Sequence, residues 1–186
     1  QMAAQRLGLR TLNFDVDHSS TSKGESLRDT LETLEALGVD VVVIRHKTDW
    51  PKELADCKLN LSLVNAGSGA FEHPTQALLD ALTIRQRFGS LRGLKVTIVG
   101  DIRHSRVARS NLHILTELGA HVQFAGPDIF KPHDLPEVPW VDLDKAVEET
   151  EVLMMLRVQH ERHAENTDIR TYHEQYGLTE ERLARL

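Results

Sequence analysis

The sequence alternates between short β-branched apolar runs and longer segments with helical spacing, and this alternation constrains the fold more than any other feature. The apolar runs predict strands at residues 11–16, 39–45, 59–64, 95–99, 121–125 and 152–156. Helical spacing is found at residues 25–37, 74–88 and 105–118. Loops rich in glycine or proline are predicted at residues 65–69 and 131–140. Alternating strands and helices predict an α/β fold, with doubly wound parallel sheets covered by helices on both faces.

A glycine-containing segment at residues 88–93 predicts where the chain divides. It follows the helical pattern of residues 74–88 and has the character of a helix stop followed by a hinge. A chain of 186 residues can hold one large domain or two small ones. We therefore predict two domains, at residues 1–90 and 91–186, each holding half of the predicted strands.

The composition excludes several classes of protein. The 28 acidic residues outnumber the 22 basic ones and give a formal net charge of -6, which argues against a general nucleic-acid binder. The longest apolar runs are far too short to span a bilayer, so we expect no membrane partner. The single cysteine, Cys57, rules out an internal disulfide and fits a reducing compartment, which predicts a cytoplasmic protein.

Positively charged side chains collect where the predicted strands end, in spite of the acidic balance. In parallel α/β sheets, ligands bind outside the carboxyl ends of the strands. Five of these junctions carry a cation or a histidine, namely Lys23, Arg45, His73, Arg106 and Arg157. Arginine presents a rigid fork of donors that fits carboxylate and phosphate oxygens. The pattern therefore predicts a site for a small polyanionic molecule.

Two of the junctions also carry helix-start signals. Ser22 and Glu25 have capping-box spacing, which would put Lys23 in the first turn of a helix. A cation there opposes the helix dipole and favours an anionic partner, although a solvated surface lysine explains this position equally well. Pro74 suits a first helical position and leaves His73 as a poor N-cap. The poor cap indicates another duty for His73, although a lone histidine is more often structural.

Other kinds of site lack their motifs. The turn at Gly100 lacks the second and third glycines of a dinucleotide fingerprint, and no Walker-type phosphate loop is present. His160 and His163 are three residues apart and do not form a His-Glu-x-x-His motif. The other histidines are scattered along the chain. We predict no metal and no cofactor.

The junction sequences resemble those of the catalytic chain of aspartate carbamoyltransferases, and are most like the bacterial forms. The matching stretches are residues 20–26, 29–30, 43–46, 73–76, 100–110, 155–159, 161–162 and 176–179. The resemblance implies the carbamoyltransferase fold and a reaction without a cofactor. That reaction transfers the carbamoyl group of carbamoyl phosphate to the amine of L-aspartate, giving N-carbamoyl-L-aspartate and phosphate in de novo pyrimidine biosynthesis.

The resemblance also implies the carbamoyl-phosphate site, which would belong to the first predicted domain. Matched by motif position, the residues that contact carbamoyl phosphate are Arg45, His73, Gln76, Ser19 and Lys23. Two of them, Arg45 and His73, would be catalytic, because they would polarise the carbonyl group and hold the developing oxyanion.

The second predicted domain would bind aspartate. The residues matched to the aspartate site are Lys23, Arg106, Arg157 and Gln159. Ser19 and Lys23 fall in a segment that, in the family, reaches into the active site of the neighbouring subunit. The resemblance therefore implies a homotrimer with shared active sites, and leaves open whether regulatory or dihydroorotase chains associate with it.

The sequence departs from the family pattern at two places. The family's Ser-Thr-Arg-Thr-Arg phosphate-binding segment and its His-Pro-x-Pro segment are not found among these 186 residues. We therefore expect the chain to be incomplete at both ends and, by itself, to show little or no transferase activity.

Three alternatives to this function stay open. Ornithine carbamoyltransferase shares the fold and a similar His-Pro-x-Gln segment, but Arg157 would repel the ammonium group of ornithine. A catalytically inactive homologue could serve as an assembly subunit, although such a protein has no need of the cationic residues. A non-enzymatic module that binds small anions would keep them.

Overall fold

The computed structural model describes residues 1–14, 25–158 and 169–186. Its helices are α1 (Met2–Arg6), α2 (Leu27–Ala36), α3 (Trp50–Glu53), α4 (Pro74–Phe88), α5 (Arg106–Glu117), α6 (Leu143–Glu149), α7 (Ile169–Tyr176) and α8 (Glu180–Leu183). Its strands are β1 (Val41–His46), β2 (Ser62–Ser68), β3 (Lys95–Val99), β4 (His121–Ala125) and β5 (Val152–Met155). The strands predicted at 95–99 and 121–125 and the helix predicted at 74–88 have these bounds in the structure.

The strands form two open sheets. β3 is the centre of a three-stranded sheet with the order β4-β3-β5, and it pairs in parallel with both neighbours. β1 and β2 form a separate two-stranded sheet. The connections from β3 to β4 and from β4 to β5 contain helices, as parallel pairing requires. The predicted α/β class with parallel strands is confirmed.

The core is built on both faces of β3. Val96, Thr97, Ile98 and Val99 are completely buried, which explains why this strand shows a continuous run rather than an apolar-polar alternation. Val96 and Ile98 belong to a cluster with apolar side chains of α4 and α5, whereas Val99 packs with side chains of α6. Burying each aliphatic side chain stabilises the fold by about 1.5–3 kcal/mol relative to an exposed position.

The described chain divides into two compact units. One unit comprises Gln1–Val42 and Glu53–Val64, and the other comprises Val43–Lys52 and Asn65–Leu186. Within the first unit, the side chain of Glu35 on α2 accepts hydrogen bonds from the backbone and side-chain amides of Asn60, at 2.8 and 2.7 Å. The predicted boundary near residue 90 falls inside the second unit, and the division into domains at that point stays a prediction.

The start of α2 differs from the sequence prediction. The Ser26 hydroxyl accepts a hydrogen bond from the backbone N–H of Asp29, and the Asp29 carboxylate accepts one from the backbone N–H of Ser26. The capping box of α2 is therefore Ser26 with Asp29. Ser22, the first residue of the predicted Ser22–Glu25 box, lies outside the described residues. Both pairs of residues have the same spacing. With Ser26 as the N-cap, the buried residues Thr30 and Leu31 lie about one turn into the helix.

Two strand predictions also need correction. Residues 11–14 form no strand, because no neighbouring strand in the described chain pairs with their backbone. Their side chains are exposed. β2 begins at Ser62 and continues to Ser68, so most of the loop predicted at 65–69 is strand. The small residues Gly67 and Ser68 are buried there, which their glycine-rich sequence did not predict.

Candidate functional site

The carboxyl ends of the strands in the second unit gather the charged side chains. The strand order reverses at β3, because β4 lies on one side of it and β5 on the other. Such a reversal leaves a crevice at the strand ends, where ligands bind in open α/β sheets. Arg106 begins α5 soon after β3, and Arg157 follows β5 by two residues. Both arginines therefore leave the sheet at the same edge.

Arg106 is held against the loop that follows β2. Its Nη1 atom donates a 3.1 Å hydrogen bond to the carbonyl oxygen of Gly69. Ser105 supplies the N-cap of α5, since its hydroxyl accepts a hydrogen bond from the backbone N–H of Ala108 at 3.1 Å. The guanidinium thus opposes the helix dipole at the first position of α5, where an acid would stabilise the helix better. Helix stability therefore does not account for a cation at this position.

His73 stands at the N-cap of α4 without capping it. Its side chain accepts no hydrogen bond from a backbone N–H of the first turn, and its own backbone N–H donates to the hydroxyl of Ser110 on α5 at 2.8 Å. The Nδ1 atom of the ring lies 3.3 Å from the hydroxyl of Thr75. Burial, and then the positive charges of Arg106 and Arg45, lower the pKa of His73 below its ordinary value of 6.5. The imidazole is therefore neutral at pH 7.

Arg45 reaches the same place from β1. It is the last residue but one of this strand, and its side chain is exposed. The carbonyl oxygen of the next residue, His46, accepts a 2.9 Å hydrogen bond from the backbone N–H of Gly69. The end of β1 is thereby tied to the loop that Arg106 contacts. Gly69 contacts both the end of β1 and the Arg106 side chain, and the charges of Arg45 and Arg106 both act on His73, so these three predicted residues lie near one another.

Gln76 lies in the first turn of α4, three residues after His73. Its Nε2 atom donates a 2.9 Å hydrogen bond to Oδ1 of Asp80. The other carboxylate oxygen of Asp80 accepts a 2.8 Å hydrogen bond from Nδ2 of Asn111 on α5. The start of α4 is thus connected to α5 by this chain of side chains as well as by Ser110.

A buried carboxylate lies under the turn after β3. Asp101 is completely buried and accepts hydrogen bonds from Nδ1 and from the backbone N–H of His104, at 2.8 and 3.3 Å. Tyr172 on α7 is close to this turn, because its hydroxyl would lie 2.9 Å from a Cβ placed on Gly100. Burial, and secondarily the charge of Asp101, raise the pKa of Tyr172 to about 12.

The positions of the predicted site residues can now be stated. The structure gathers Arg45, His73 and Arg106, with Gln76 one turn further along α4, and puts Arg157 at the same edge of the sheet. Ser19, Lys23 and Gln159 lie outside the described residues. The first described helix after Lys23 is α2, which begins at Leu27.

Sequence reasoning missed several residues that support the site. They are Gly67, Asp80, Ser110 and Asn111. One signal was available, since Asp80 stands four residues after Gln76 and such residues share a helix face. The other three act through contacts between distant segments, which no local pattern reports.

Two further observations limit the kinds of site. Within residues 1–14, 25–158 and 169–186, no group of three or more His, Cys, Asp or Glu side chains is arranged to hold a metal ion. A search of that same part of the chain for a membrane-crossing helix, one both long and apolar enough, finds none.

Comparison with known proteins shows where this architecture occurs. Residues 1–86 match the carbamoyl-phosphate-binding domain of the aspartate/ornithine carbamoyltransferases. Aspartate transcarbamoylase from Trypanosoma cruzi in complex with carbamoyl phosphate is 31% identical, with a TM-score of 0.82 over 99% of this chain and 64% of its own. The same enzyme in complex with N-(phosphonacetyl)-L-aspartic acid is 35% identical, with a TM-score of 0.74 over 86% of this chain and 57% of its own.

A third structure of the Trypanosoma cruzi enzyme, in complex with carbamoyl aspartate and phosphate, is 34% identical. Its TM-score is 0.75, over 89% of this chain and 59% of its own. The chain thus spans 57–64% of the length of these three relatives. The sequence motifs, the sheet topology and these similarities agree, and the chain belongs to the aspartate/ornithine carbamoyltransferase family.

Proposed function

We propose that this protein transfers the carbamoyl group of carbamoyl phosphate to the amine of L-aspartate, in de novo pyrimidine biosynthesis. The observation that carries the proposal is the convergence of Arg45, His73 and Arg106 at the strand ends, with Arg157 at the same edge. Both substrates are anions, and arginine binds phosphate and carboxylate oxygens through two parallel hydrogen bonds. Relatives with this fold bind carbamoyl phosphate, carbamoyl aspartate and phosphate.

Arg45 and His73 would activate carbamoyl phosphate. When Nδ1 of the neutral His73 ring accepts a hydrogen bond from the Thr75 hydroxyl, the ring proton lies on Nε2 and can be donated to the carbonyl oxygen. The Arg45 guanidinium adds positive charge where the carbonyl oxygen becomes negative. Donors fixed in this way stabilise the developing oxyanion without reorganising during the reaction.

Arg106 and Arg157 would hold aspartate, together with Lys23 and Gln159. The neutral amine of aspartate attacks the carbonyl carbon and forms the new C–N bond. The C–O bond to phosphate then breaks, and the amine nitrogen gives up one proton. The reaction needs no covalent bond to the protein and no cofactor. Binding both anions in attack geometry and stabilising the developing oxyanion would lower the barrier.

We further propose a homotrimer with shared active sites, because the segment with Ser19 and Lys23 resembles one that reaches a neighbouring subunit. The exposed apolar residues Leu78, Leu79 and Leu82 on α4 support an assembly, since such patches mark interfaces. Light scattering should give three times the subunit mass. Mixing inactive Lys23→Gln and His73→Ala subunits should restore part of the activity if sites are shared.

The kinetic test uses Arg157→Ala in the protein expressed from its complete coding sequence. Loss of a charged hydrogen bond of about 1.5–3 kcal/mol should raise the KM for aspartate roughly 10- to 100-fold. The KM for carbamoyl phosphate should change less than about twofold. Arg28→Ala removes an exposed arginine on α2 and is the matched control. Equal losses for both substrates would contradict the assignment of Arg157.

Two measurements separate the alternatives: titration calorimetry with N-(phosphonacetyl)-L-aspartic acid measures binding, and an assay of carbamoyl aspartate formed from both substrates measures turnover. Tight binding together with turnover supports the proposed transferase. Binding without turnover in the complete protein would favour an inactive homologue, and binding no tighter than that of phosphate would favour a generic anion module. Turnover with ornithine in place of aspartate would identify the ornithine-type enzyme.

We propose a cytoplasmic location, which the free thiol of Cys57 supports. Fractionation of cells with an antibody against the chain would test it, and recovery of the protein in a membrane or extracellular fraction would contradict it. Regulatory or dihydroorotase chains, if they associate, should copurify with the tagged protein at defined stoichiometry.

A further inference from the structure

We propose that Asp80 is a positioning residue that fixes which end of the Gln76 amide meets a ligand. By occupying the NH2 group of Gln76, it leaves the amide oxygen, Oε1, as the group that recognises carbamoyl phosphate. The inference deepens the proposed function and rests on it. It assigns a role to a residue that touches no substrate and acts through its neighbour.

The chemistry of a carboxylate fixes the direction of the hydrogen bond. An ionised carboxylate has no proton to donate, so Oδ1 of Asp80 can only accept from the Gln76 side chain, at 2.9 Å. The partner atom must be Nε2, the donor end of the amide. The opposite orientation of Gln76 would place two acceptors against each other. Within the described chain, Oε1 has no protein hydrogen-bond partner.

Asp80 is itself held from α5. Oδ2 of Asp80 accepts a 2.8 Å hydrogen bond from Nδ2 of Asn111, which is completely buried. The second proton of that Asn111 amide is donated to the carbonyl oxygen of Val107 at 3.1 Å. Both Nδ2 donors are therefore used, and the orientation of Asn111 is determined in the same way as that of Gln76. One oxygen of the Asp80 carboxylate therefore binds Gln76 on α4, and the other binds Asn111 on α5.

The place of Gln76 makes this polarity relevant to the ligand. Gln76 follows His73 by three residues in the first turn of α4, so the two side chains lie on adjacent positions of one helix end. The carbamoyl group offers an oxygen acceptor and an NH2 donor. With His73 and Arg45 directed at the carbonyl oxygen, an acceptor such as Oε1 complements the NH2 group.

The arrangement predicts discrimination between two similar phosphates. Acetyl phosphate carries a methyl group where carbamoyl phosphate carries NH2, so it cannot donate to Oε1 of Gln76. A site built to accept a hydrogen bond rejects a ligand that lacks the donor. We therefore expect carbamoyl phosphate to bind at least about tenfold more tightly than acetyl phosphate.

The test is Asp80→Asn in the protein expressed from its complete coding sequence. Asn111 continues to donate to the remaining oxygen at residue 80, so the new NH2 group faces Gln76 and turns its amide over. The affinity for carbamoyl phosphate should fall about tenfold, and the preference over acetyl phosphate should largely disappear. The KM for aspartate should not change. An unchanged preference in Asp80→Asn would overturn the inference while leaving the proposed function intact.

A double-mutant cycle excludes a merely structural role. In a Gln76→Ala background, Asp80→Asn should produce no further change in the ratio of the two affinities. An equal fall in both backgrounds would show that Asp80 does not act through Gln76, and would overturn the inference. If the wild-type protein binds no carbamoyl phosphate, the proposed function fails and the inference fails with it.

An exchange of the two groups tests the hydrogen bond without any ligand. Gln76→Glu alone places two carboxylates in contact and should lower the thermal midpoint. Adding Asp80→Asn restores a donor opposite the acceptor, with the polarity reversed, and should recover most of that loss. A double variant less stable than Gln76→Glu would show that the pairing does not hold these side chains.

Discussion

The Arg106 guanidinium lies so close to Gly67 that a Cβ atom at this glycine would be 2.9 Å from Nη1 and 3.1 Å from Cζ. Gly67 is buried near the end of β2 and has a φ of +138°, a conformation that side chains rarely adopt. The missing side chain therefore makes room for the cation. A residue without chemistry of its own decides where a predicted substrate-binding arginine can stand.

Replacing Gly67 by alanine should displace the Arg106 guanidinium and strain the backbone. We expect a loss of about 1–2 kcal/mol in the free energy of unfolding from the positive φ, and a weaker affinity for aspartate. Gly93→Ala is the control, because its φ is +80° but a Cβ there meets no atom within 4 Å. Urea unfolding and aspartate titration measure both effects. An unchanged aspartate affinity in Gly67→Ala would contradict the role of the contact.

The lowered pKa of His73 predicts a dependence of stability on pH. The unfolded chain binds a proton at His73 near pH 6.5, whereas the folded protein resists protonation because burial and two arginines oppose the charge. The contribution of His73 to the free energy of unfolding is therefore fully present above about pH 6.5, and it is lost as the pH falls through the pKa of His73 in the folded protein.

Unfolding of the wild type and of His73→Gln at pH 7.5 and 5.5 would measure this contribution. The wild type should lose more stability on acidification than the variant, by a modest amount because the ring is partly exposed to solvent screening. His113→Gln, at an exposed position on α5, should leave the wild-type dependence unchanged. A wild type that gains stability relative to His73→Gln at pH 5.5 would show that the pKa is raised instead.

Tyr172→Phe should stabilise the protein. The Tyr172 hydroxyl is buried and has no hydrogen-bond partner in the described part of the chain. Removing an unsatisfied polar group should raise the free energy of unfolding by about 1 kcal/mol. Tyr176→Phe, one turn further along α7, should change it by less than about 0.5 kcal/mol. Destabilisation of Tyr172→Phe would reveal a partner for the hydroxyl.

Arg182→Lys should destabilise the protein although the charge is kept. The buried Arg182 donates from Nε and Nη2 to the two oxygens of Asp144, at 2.9 and 3.2 Å, and from Nη1 to the carbonyl of Gly177 at 2.8 Å. Lysine cannot reproduce this fork, so we expect a loss of about 1–3 kcal/mol by urea unfolding. Arg185→Lys is the more exposed control and should change stability by about 0.5 kcal/mol or less. Equal effects would contradict the importance of burial.

Local signals predicted the elements whose cause is local. The strand Lys95–Val99 is buried on both faces and so shows a continuous apolar pattern, and the helix Pro74–Phe88 begins at a proline and ends before a glycine. The strand predicted at 11–16 failed within its described residues because a pattern does not show whether a partner strand exists. Two consecutive segments, residues 22–25 and 26–29, have capping-box spacing, and the spacing alone did not show that the second of them caps α2.

The same distinction between local and tertiary causes applies to the residues of the site. The sequence by itself determined which residue types stand at the strand ends, since the alternation of strand and helix forces Arg45, His73, Arg106 and Arg157 to one kind of position in an α/β fold. It also carried the motifs by which the family is identified.

Only the tertiary structure decided how these groups are held. Gly67 and Ser110 control the positions of Arg106 and His73 through contacts between segments that are distant in sequence. Asp80, which holds Gln76, is fixed in the same way by Asn111 on α5. Spacing along the chain records periodicity, which is local. The close approach of a glycine to a guanidinium, or of the Asp80 carboxylate to Asn111 on another helix, is created when helices and strands pack, and no periodic pattern contains it.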